Sequence, residues 1–338
     1  MKTIVKILVL LLLLQTNFVA GQDMHFTQFY SSPVFLNPAF TGANVCSRAT
    51  LVYRNQWPGT RKAYESYLLS IDHFAYKQNI GIGLQCGVDD AGTGGLRTTI
   101  VDPSFAYEAK ITRAFAVRFG VQPGVTIKSI NFNRLIFGDQ LTRGGPTGGS
   151  TTTTLESPTQ NRAYFDIGAG ALFYTAKYWG GFSIAHINKP NESFYSGEEV
   201  NLPMKISVHG GTKIPLNEEE RDPEAKKSIS IVGHYRAQGE FDQFDLGVYY
   251  SQYVFNAGIW YRGIPGLKSY KPGYRNDDAI AAIIGFQTTR LSIGYSYDMT
   301  ISLLRGLTQG AHEVTLSFQM CDPKKRKVKR MLISCPKF

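Results

Sequence analysis

The chain has 338 residues, 43% of them hydrophobic and only 18% charged, with 34 glycines, 19 tyrosines and 21 phenylalanines. Beyond residue 21 no stretch approaches the roughly 18 uninterrupted apolar residues that a spanning helix needs, which excludes a helical membrane protein. The formal charge of +10 does not mark a nucleic-acid binder: two of those charges sit in a leader and a net six in a carboxy-terminal tail, so only +2 remains on the body of the chain.

Met1 to Gly21 reads as a signal peptide, with Lys2 and Lys6, the apolar run Ile7 to Leu14, and small residues at Val19-Ala20-Gly21. The mature chain is expected to begin at Gln22, with residues 22–47 as a periplasmic N-terminal segment. From Arg48 onward the sequence divides into fourteen alternating segments, at 48–57, 63–74, 79–88, 96–108, 114–133, 162–174, 179–186, 203–215, 227–237, 241–250, 254–262, 278–288, 291–298 and 312–320. The last is the clearest: Val314, Leu316, Phe318 and Met320 take one face, Glu313, Thr315, Ser317 and Gln319 the other. Apolar-out and polar-in at period two suits a wall between lipid and a polar interior.

Connections after even-numbered segments are mostly tight, and those after odd-numbered segments mostly longer. The exceptions are Leu216 to Lys226, long among the short, and Gln238 to Glu240, short among the long. This asymmetry is that of outer-membrane barrels, and a soluble sandwich has no reason to produce it. The expected fold is an all-β transmembrane antiparallel β-barrel of about 14 strands over 48–320, one domain, with the low-complexity run Gly144 to Gln160 inside the longest external loop. The even count puts both strand ends on one side, so the N- and C-termini are expected in the periplasm.

The basic tail, 321–338, concentrates Lys324, Lys325, Arg326, Lys327, Lys329, Arg330 and Lys337 against one acid, Asp322. It reads as a solvated periplasmic extension, or as a contact for anionic lipid headgroups or an acidic partner. Of four cysteines in an exported chain, Cys86 falls within a strand and is expected unpaired, whereas Cys46, Cys321 and Cys335 lie near the periplasmic rim. Closure of a barrel brings Cys46 and Cys321 to one edge, where a disulfide would clasp the seam; pairing of Cys321 with Cys335 would only loop the tail. Strand one and strand fourteen must also be neighbours, so Arg54, Asp298 and Glu313, all inward by alternation, are expected to meet in the upper lumen.

Catalytic chemistry is not advertised. The six histidines are scattered without a metal-binding spacing, and there is no Gly-x-Ser-x-Gly elbow and no phosphate-cradling glycine loop. Neither enzyme, metal nor cofactor is expected. Tyr53, Trp57, Trp260 and Tyr261, at strand ends, read as interface aromatics of the girdle; alternatively they belong to a docking surface.

Several motifs carry a resemblance. Gln22-Asp23-Met24-His25-Phe26-Thr27-Gln28-Phe29-Tyr30, Leu36-Asn37-Pro38-Ala39-Phe40-Thr41-Gly42, Tyr53-Arg54-Asn55-Gln56-Trp57, Gly294-Tyr295-Ser296-Tyr297-Asp298 and Gly310-Ala311-His312-Glu313 follow in the order seen in the PorP/SprF family, which the mature chain resembles to about Met320. The cysteine-bearing basic tail departs from that family's usual ending. The resemblance implies an outer-membrane component of the type IX secretion and gliding-motility machinery of Bacteroidetes. It implies no catalytic residues. The expected role is to help secrete or anchor a surface protein through its C-terminal sorting domain, with other type IX secretion components met at the periplasmic rim and outer membrane lipid around the wall. The alternative is an outer-membrane pore for small solutes.

Overall fold

The computed structural model describes residues 23–44, 46–60, 63–92, 95–112, 114–131, 135–136, 138–142, 145–146, 160–195, 197–217, 226–264, 276–302, 306 and 308–321. The signal peptide, the basic tail from residue 322 and Cys335 lie outside them. Fourteen strands close into one antiparallel barrel: β1 (Arg48–Gln56), β2 (Tyr64–Ala75), β3 (Ile80–Ala91), β4 (Leu96–Lys110), β5 (Ala116–Ser129), β6 (Asn161–Tyr174), β7 (Tyr178–Ala185), β8 (Lys205–Pro215), β9 (Lys227–Gln238), β10 (Phe241–Gln252), β11 (Phe255–Gly263), β12 (Asp277–Gln287), β13 (Leu291–Thr300) and β14 (Ala311–Gln319). Each strand pairs with its neighbours in sequence. The remaining pairing joins β1 to β14, with Arg48 opposite Gln319 and Arg54 opposite Glu313. Closure gives every strand a partner on each side, as a wall in hydrocarbon requires.

The strands form where the period-two pattern places them, with ends displaced by a few residues. The fifth, expected over 114–133, covers Ala116–Ser129, because its ladder stops where its partner begins, Ser129 opposite Asn161. On β14 burial alternates without a break: Glu313, Thr315 and Ser317 are buried and Val314, Leu316 and Phe318 exposed. The outward face of the barrel is a belt of exposed apolar side chains such as Leu51, Phe105, Phe119, Val248 and Ile284. One rim carries tight turns, Asn79 and Tyr253 supplying left-handed backbone there (φ 57° and 52°). The other carries the longer connections, including a small ladder of 141–142 with 145–146 between β5 and β6.

One expectation is overturned. Residues 22–47 do not form a segment outside the barrel: the described part, from Asp23 to Asn44, runs through the lumen with Phe26, Thr27, Gln28, Phe29 and Ala39 all buried. It includes a one-turn helix, α1 (Pro33–Leu36), followed by a 3-10 turn at Pro38–Phe40. The physical reason is written in the composition, since no Asp, Glu, Lys or Arg occurs between Met24 and Ser47. A stretch so apolar gains by burial. Consequently the first and last described residues do not share a side. Asp23 lies among residues of the long-loop rim, next to Lys205 and His186, while Cys321 lies at the short-turn rim.

At that short-turn rim Cys46 and Cys321 are bonded, with Cα atoms 5.4 Å apart, and Cys86 is free and half-buried in the wall. The bridge closes a loop of 275 residues across the seam. Non-reducing peptide mapping of the native protein is expected to recover Cys46 and Cys321 in one linked pair. Cys46→Ser is expected to lower stability by about 2–5 kcal/mol, read as a lower urea midpoint in lipid vesicles. A pair formed by Cys321 with Cys335, or an unchanged midpoint, would contradict the seam clasp.

Candidate functional site

The inner wall receives the luminal segment through residues too small to obstruct it. A β-carbon on Gly120 of β5 would strike the backbone of Pro38 and Ala39, and one on Gly81 of β3 would strike the carbonyl of Thr41. Glycine at these inward positions is therefore what lets the segment's backbone lie against the sheet. Polar side chains then fix its path. Asn37 donates from Nδ2 to the carbonyls of Ala171 and Phe182, each at 3.0 Å, and Ser183 donates to the Leu36 carbonyl at 2.9 Å. Arg118 donates from Nε to the Ala39 carbonyl at 2.8 Å and also to the Thr41 carbonyl, while its Nη1 pairs with Glu108 at 2.7 Å. Below it, the Gly42 amide donates to Asp72 at 2.8 Å, and Asp72 also pairs with Arg48 at 2.9 Å.

Mid-lumen packing is aromatic. Phe29 lies 4.8 Å from Trp260 and 4.5 Å from His234, ring centre to ring centre, and Tyr30 reaches the Gly210 carbonyl with its hydroxyl at 3.2 Å. Above this layer sits a buried ionic cluster. Arg54 donates to Asp298 at 2.9 Å and to Glu313 at 3.1 Å; Arg262 donates to Asp245 at 3.0 Å and to Asp298 at 3.1 Å. Thr27 occupies the centre: its hydroxyl accepts from Arg54 (2.7 Å) and Arg262 (2.9 Å) and donates to Asp298 (2.6 Å). Glu313 accepts from the Thr27 and Gln28 amides at 2.7 and 2.8 Å. Strands β1, β11, β13 and β14 thus meet at one residue of the luminal segment.

At the upper end Asp23 pairs with Lys205 at 2.7 Å and with His186 at 2.8 Å, and His186 pairs also with Asp166 at 2.7 Å. Burial favours a neutral Asp23, but Lys205 and His186 outweigh it and hold the carboxyl well below the usual range. Burial likewise pulls the His186 imidazole down, and the flanking carboxylates of Asp23 and Asp166 override it, raising its pKa to about 9. His25 is driven the other way, by burial first and then by the guanidinium groups of Arg236 and Arg54. A cavity of about 440 Å³ beside Met24 and His25 reaches the long-loop rim, with Trp57, Arg236 and Phe241 on its walls.

The sequence-selected residues fall as follows. Arg54, Asp298 and Glu313 are together, and Cys46 is with Cys321. Tyr53 and Tyr261 lie on the outward face, the Tyr53 ring tilted against Tyr67 at 4.9 Å between centres and Tyr261 donating to Asp277 at 2.6 Å. Trp57 packs edge-on to Tyr64 at the long-loop rim and lines the cavity. Trp260 is not an interface aromatic. It is 2% exposed, points into the lumen and donates from Nε1 to Tyr249 at 2.7 Å. Its place follows from alternation, in phase with inward Arg262 and out of phase with exposed Ile259. Thr27, Arg262 and Asp245 join the cluster without being expected there. Arg262 and Asp245 share the inward phase of their strands, and nothing local in the sequence sets Thr27 apart from its neighbours.

The family model described as "Type IX secretion system membrane protein PorP/SprF" matches residues 18–318. No curated protein matches the chain. Similar solved structures include the Ralstonia pickettii toluene transporter TbuX (TM-score 0.44, 11% identity, covering 86% of this chain and 93% of that one). They also include the P. putida toluene transporter TodX (0.46, 9%, 84% and 92%) and a Pseudomonas aeruginosa FadL homologue (0.43, 12%, 86% and 94%).

Removing the Arg54 guanidinium leaves two buried carboxylates short of a partner, so Arg54→Met is expected to cost about 3–5 kcal/mol in urea unfolding. Arg97→Ala, which breaks a pair with Asp90 that is more than half exposed on the arginine side, is expected to change stability by no more than about 1 kcal/mol. Equal effects of the two substitutions would refute the buried cluster's special role.

His186 supplies a pH test. Its pKa in the folded protein, about 9, exceeds the ordinary 6.5, so its stabilisation of the Asp23 end is complete below pH 6.5 and is lost as pH rises through 9. The difference corresponds to roughly 3 kcal/mol. Hydrogen exchange at the amides of residues 23–26 is expected to show protection that falls across that window, beyond the intrinsic rise in exchange rate, and His186→Asn is expected to remove the fall. Identical pH profiles in the two proteins would contradict the assignment.

Proposed function

The chain belongs to the PorP/SprF family of type IX secretion system membrane proteins, and from that membership we propose that it acts without catalysis, as an outer-membrane barrel that helps secrete or anchor a surface protein by holding its C-terminal sorting domain. The observation that carries this reading is the filled lumen. From Asp23 to Asn44 the chain occupies its own barrel, tied to the wall by buried hydrogen bonds and ion pairs. A barrel blocked in this way is suited to presenting a fixed face rather than to passing solutes. In this reading the long-loop rim faces outward and meets the secreted protein, and the short-turn rim, with the basic tail beyond it, faces the periplasm and the other secretion components. The apolar outer belt is in contact with outer-membrane lipid.

A second reading, a pore for small solutes, draws on the cavity of about 440 Å³ that reaches the long-loop rim. The two readings part in a pair of measurements. Purified from outer membranes under mild detergent, the protein is expected to carry a secreted surface protein identified by its C-terminal domain, and to give no steady conductance in planar bilayers. Recovery of the barrel alone, under conditions that preserve other membrane complexes, together with open-channel currents, would overturn the anchoring reading in favour of the pore.

A further inference from the structure

Strands β4 and β5 keep a single register, with Val101 opposite Val125 and Phe105 opposite Val121, yet no pairing is made between 102–104 and 122–124. At that register Pro103 faces Pro123. Neither has an N–H to donate. Alternation of the antiparallel ladder sets both missing donors at the same place, so the carbonyl of each proline receives nothing from the residue opposite, and the neighbouring pairs are lost with them. The break belongs to this seam alone, because Pro103 still pairs with Leu84 of β3 and Pro123 with Ile167 of β6. It lies midway along both strands, where hydrocarbon rather than water bathes the wall and an unpaired carbonyl is costly.

Behind the break is a second luminal cavity, of about 130 Å³, lined in part by Gln85, Asp102, Gln122, Thr126 and Phe35. Asp102 leans over Gly124, where a β-carbon would meet its carboxylate, and so spans the gap from the inside. It accepts from Gln85 Nε2 at 3.3 Å, and no ion pair among the described residues includes it. Gln85 is 2% exposed and its Oε1 has no partner among the described atoms. On the lipid side Val101, Phe105, Val121 and Val125 present exposed apolar surface around the two prolines.

Beside Gln122 Nε2, a donor without a partner among the described atoms, and Lys128, Lys205 and His186 on the same cavity wall, the break presents four acceptors: two backbone carbonyls, the Asp102 carboxylate and the Gln85 amide oxygen. What complements them is a cationic donor, and what complements the surface outside is a hydrocarbon chain. We propose that the interrupted seam between β4 and β5 is a lateral binding site for the head of a membrane amphiphile bearing a primary ammonium. The ammonium meets Asp102 and the proline carbonyls, while the chain lies across Val101, Phe105, Val121 and Val125. An aminophospholipid and a single-chain amine offer the same head chemistry, and the experiment separates them.

The test uses the full chain purified in detergent, with native mass spectrometry after addition of dioleoylphosphatidylethanolamine, dioleoylphosphatidylglycerol or dodecylammonium. Phosphatidylethanolamine is expected to be retained about tenfold more strongly than phosphatidylglycerol, and Asp102→Asn is expected to abolish that preference. Retention of dodecylammonium but not phosphatidylethanolamine would keep the ammonium site and assign it to single-chain amines. Pro103→Val with Pro123→Val restores both N–H donors and is expected to lower retention of every amine. Should this double variant fail to give a heat-modifiable barrel, Asp102→Asn decides alone, since it preserves shape at a lumen-facing position. No preference for amine heads in the unaltered protein, or a preference that survives Asp102→Asn, overturns the proposal.

Discussion

Closure is the constraint on which the rest of the structure depends. Every pairing in the wall joins neighbours in sequence except that of β1 with β14, and that one must bring together segments more than two hundred residues apart. For a flexible chain of this length the entropic cost of such a contact is on the order of 5 kcal/mol. Hydrogen bonds of the ladder alone contribute modestly against it. The protein concentrates its long-range chemistry at this seam: Arg54 from the first strand, Asp298 and Glu313 from the last two, and the disulfide from Cys46 to Cys321 at the rim below. The luminal segment joins them, because Thr27 and Gln28 bond to the same carboxylates.

That arrangement makes the luminal segment part of the core. Glu313 is wholly buried and takes two backbone amides from the segment as well as the Arg54 guanidinium. A buried carboxylate is tolerated when its lone pairs are filled in this manner. Phe29 and Tyr30, meanwhile, form one cluster with Trp260, Tyr249 and Trp179 from three different strands. The wall alone would therefore expose an aromatic layer and an ionic layer to water. With the segment in place, both are sealed.

Much of this was legible from alternation. The number of strands, their limits to within a few residues, the inward direction of Arg54, Asp298 and Glu313 and the nearness of Cys46 to Cys321 all follow from period two and the need to close. Two things were not. Trp260 looked like an interface residue because strand ends are rich in aromatics, although its own phase, shared with Arg262, already pointed inward. The luminal segment is not a strand and precedes the first one, so periodicity has nothing to say about its place. The signal available was its lack of charge from Met24 to Ser47. The motifs that resemble the family, spread over five separate stretches of sequence, are largely the pieces that meet there: Thr27 and Gln28, Asn37 and Thr41, Arg54, Asp298 and Glu313.

The two ends of the segment are held by different physics, and this orders their strength. At the bottom the hold is covalent, reinforced by glycines at Gly81 and Gly120 that leave no space between backbone and sheet. In the middle the ion pairs are dry, with the side chains of Arg54, Asp298 and Glu313 exposed by 3% or less. At the top Asp23 and Lys205 are exposed by 22% and 24%, so water and salt screen their attraction far more. The displacement of the segment that costs least must start at Asp23, on the rim of long loops, and must stop at Thr27, where further movement would strip partners from two buried carboxylates. A partner acting from the loop side thus has access to the first few residues of the segment and not to the seam, so the barrel can respond there without coming open.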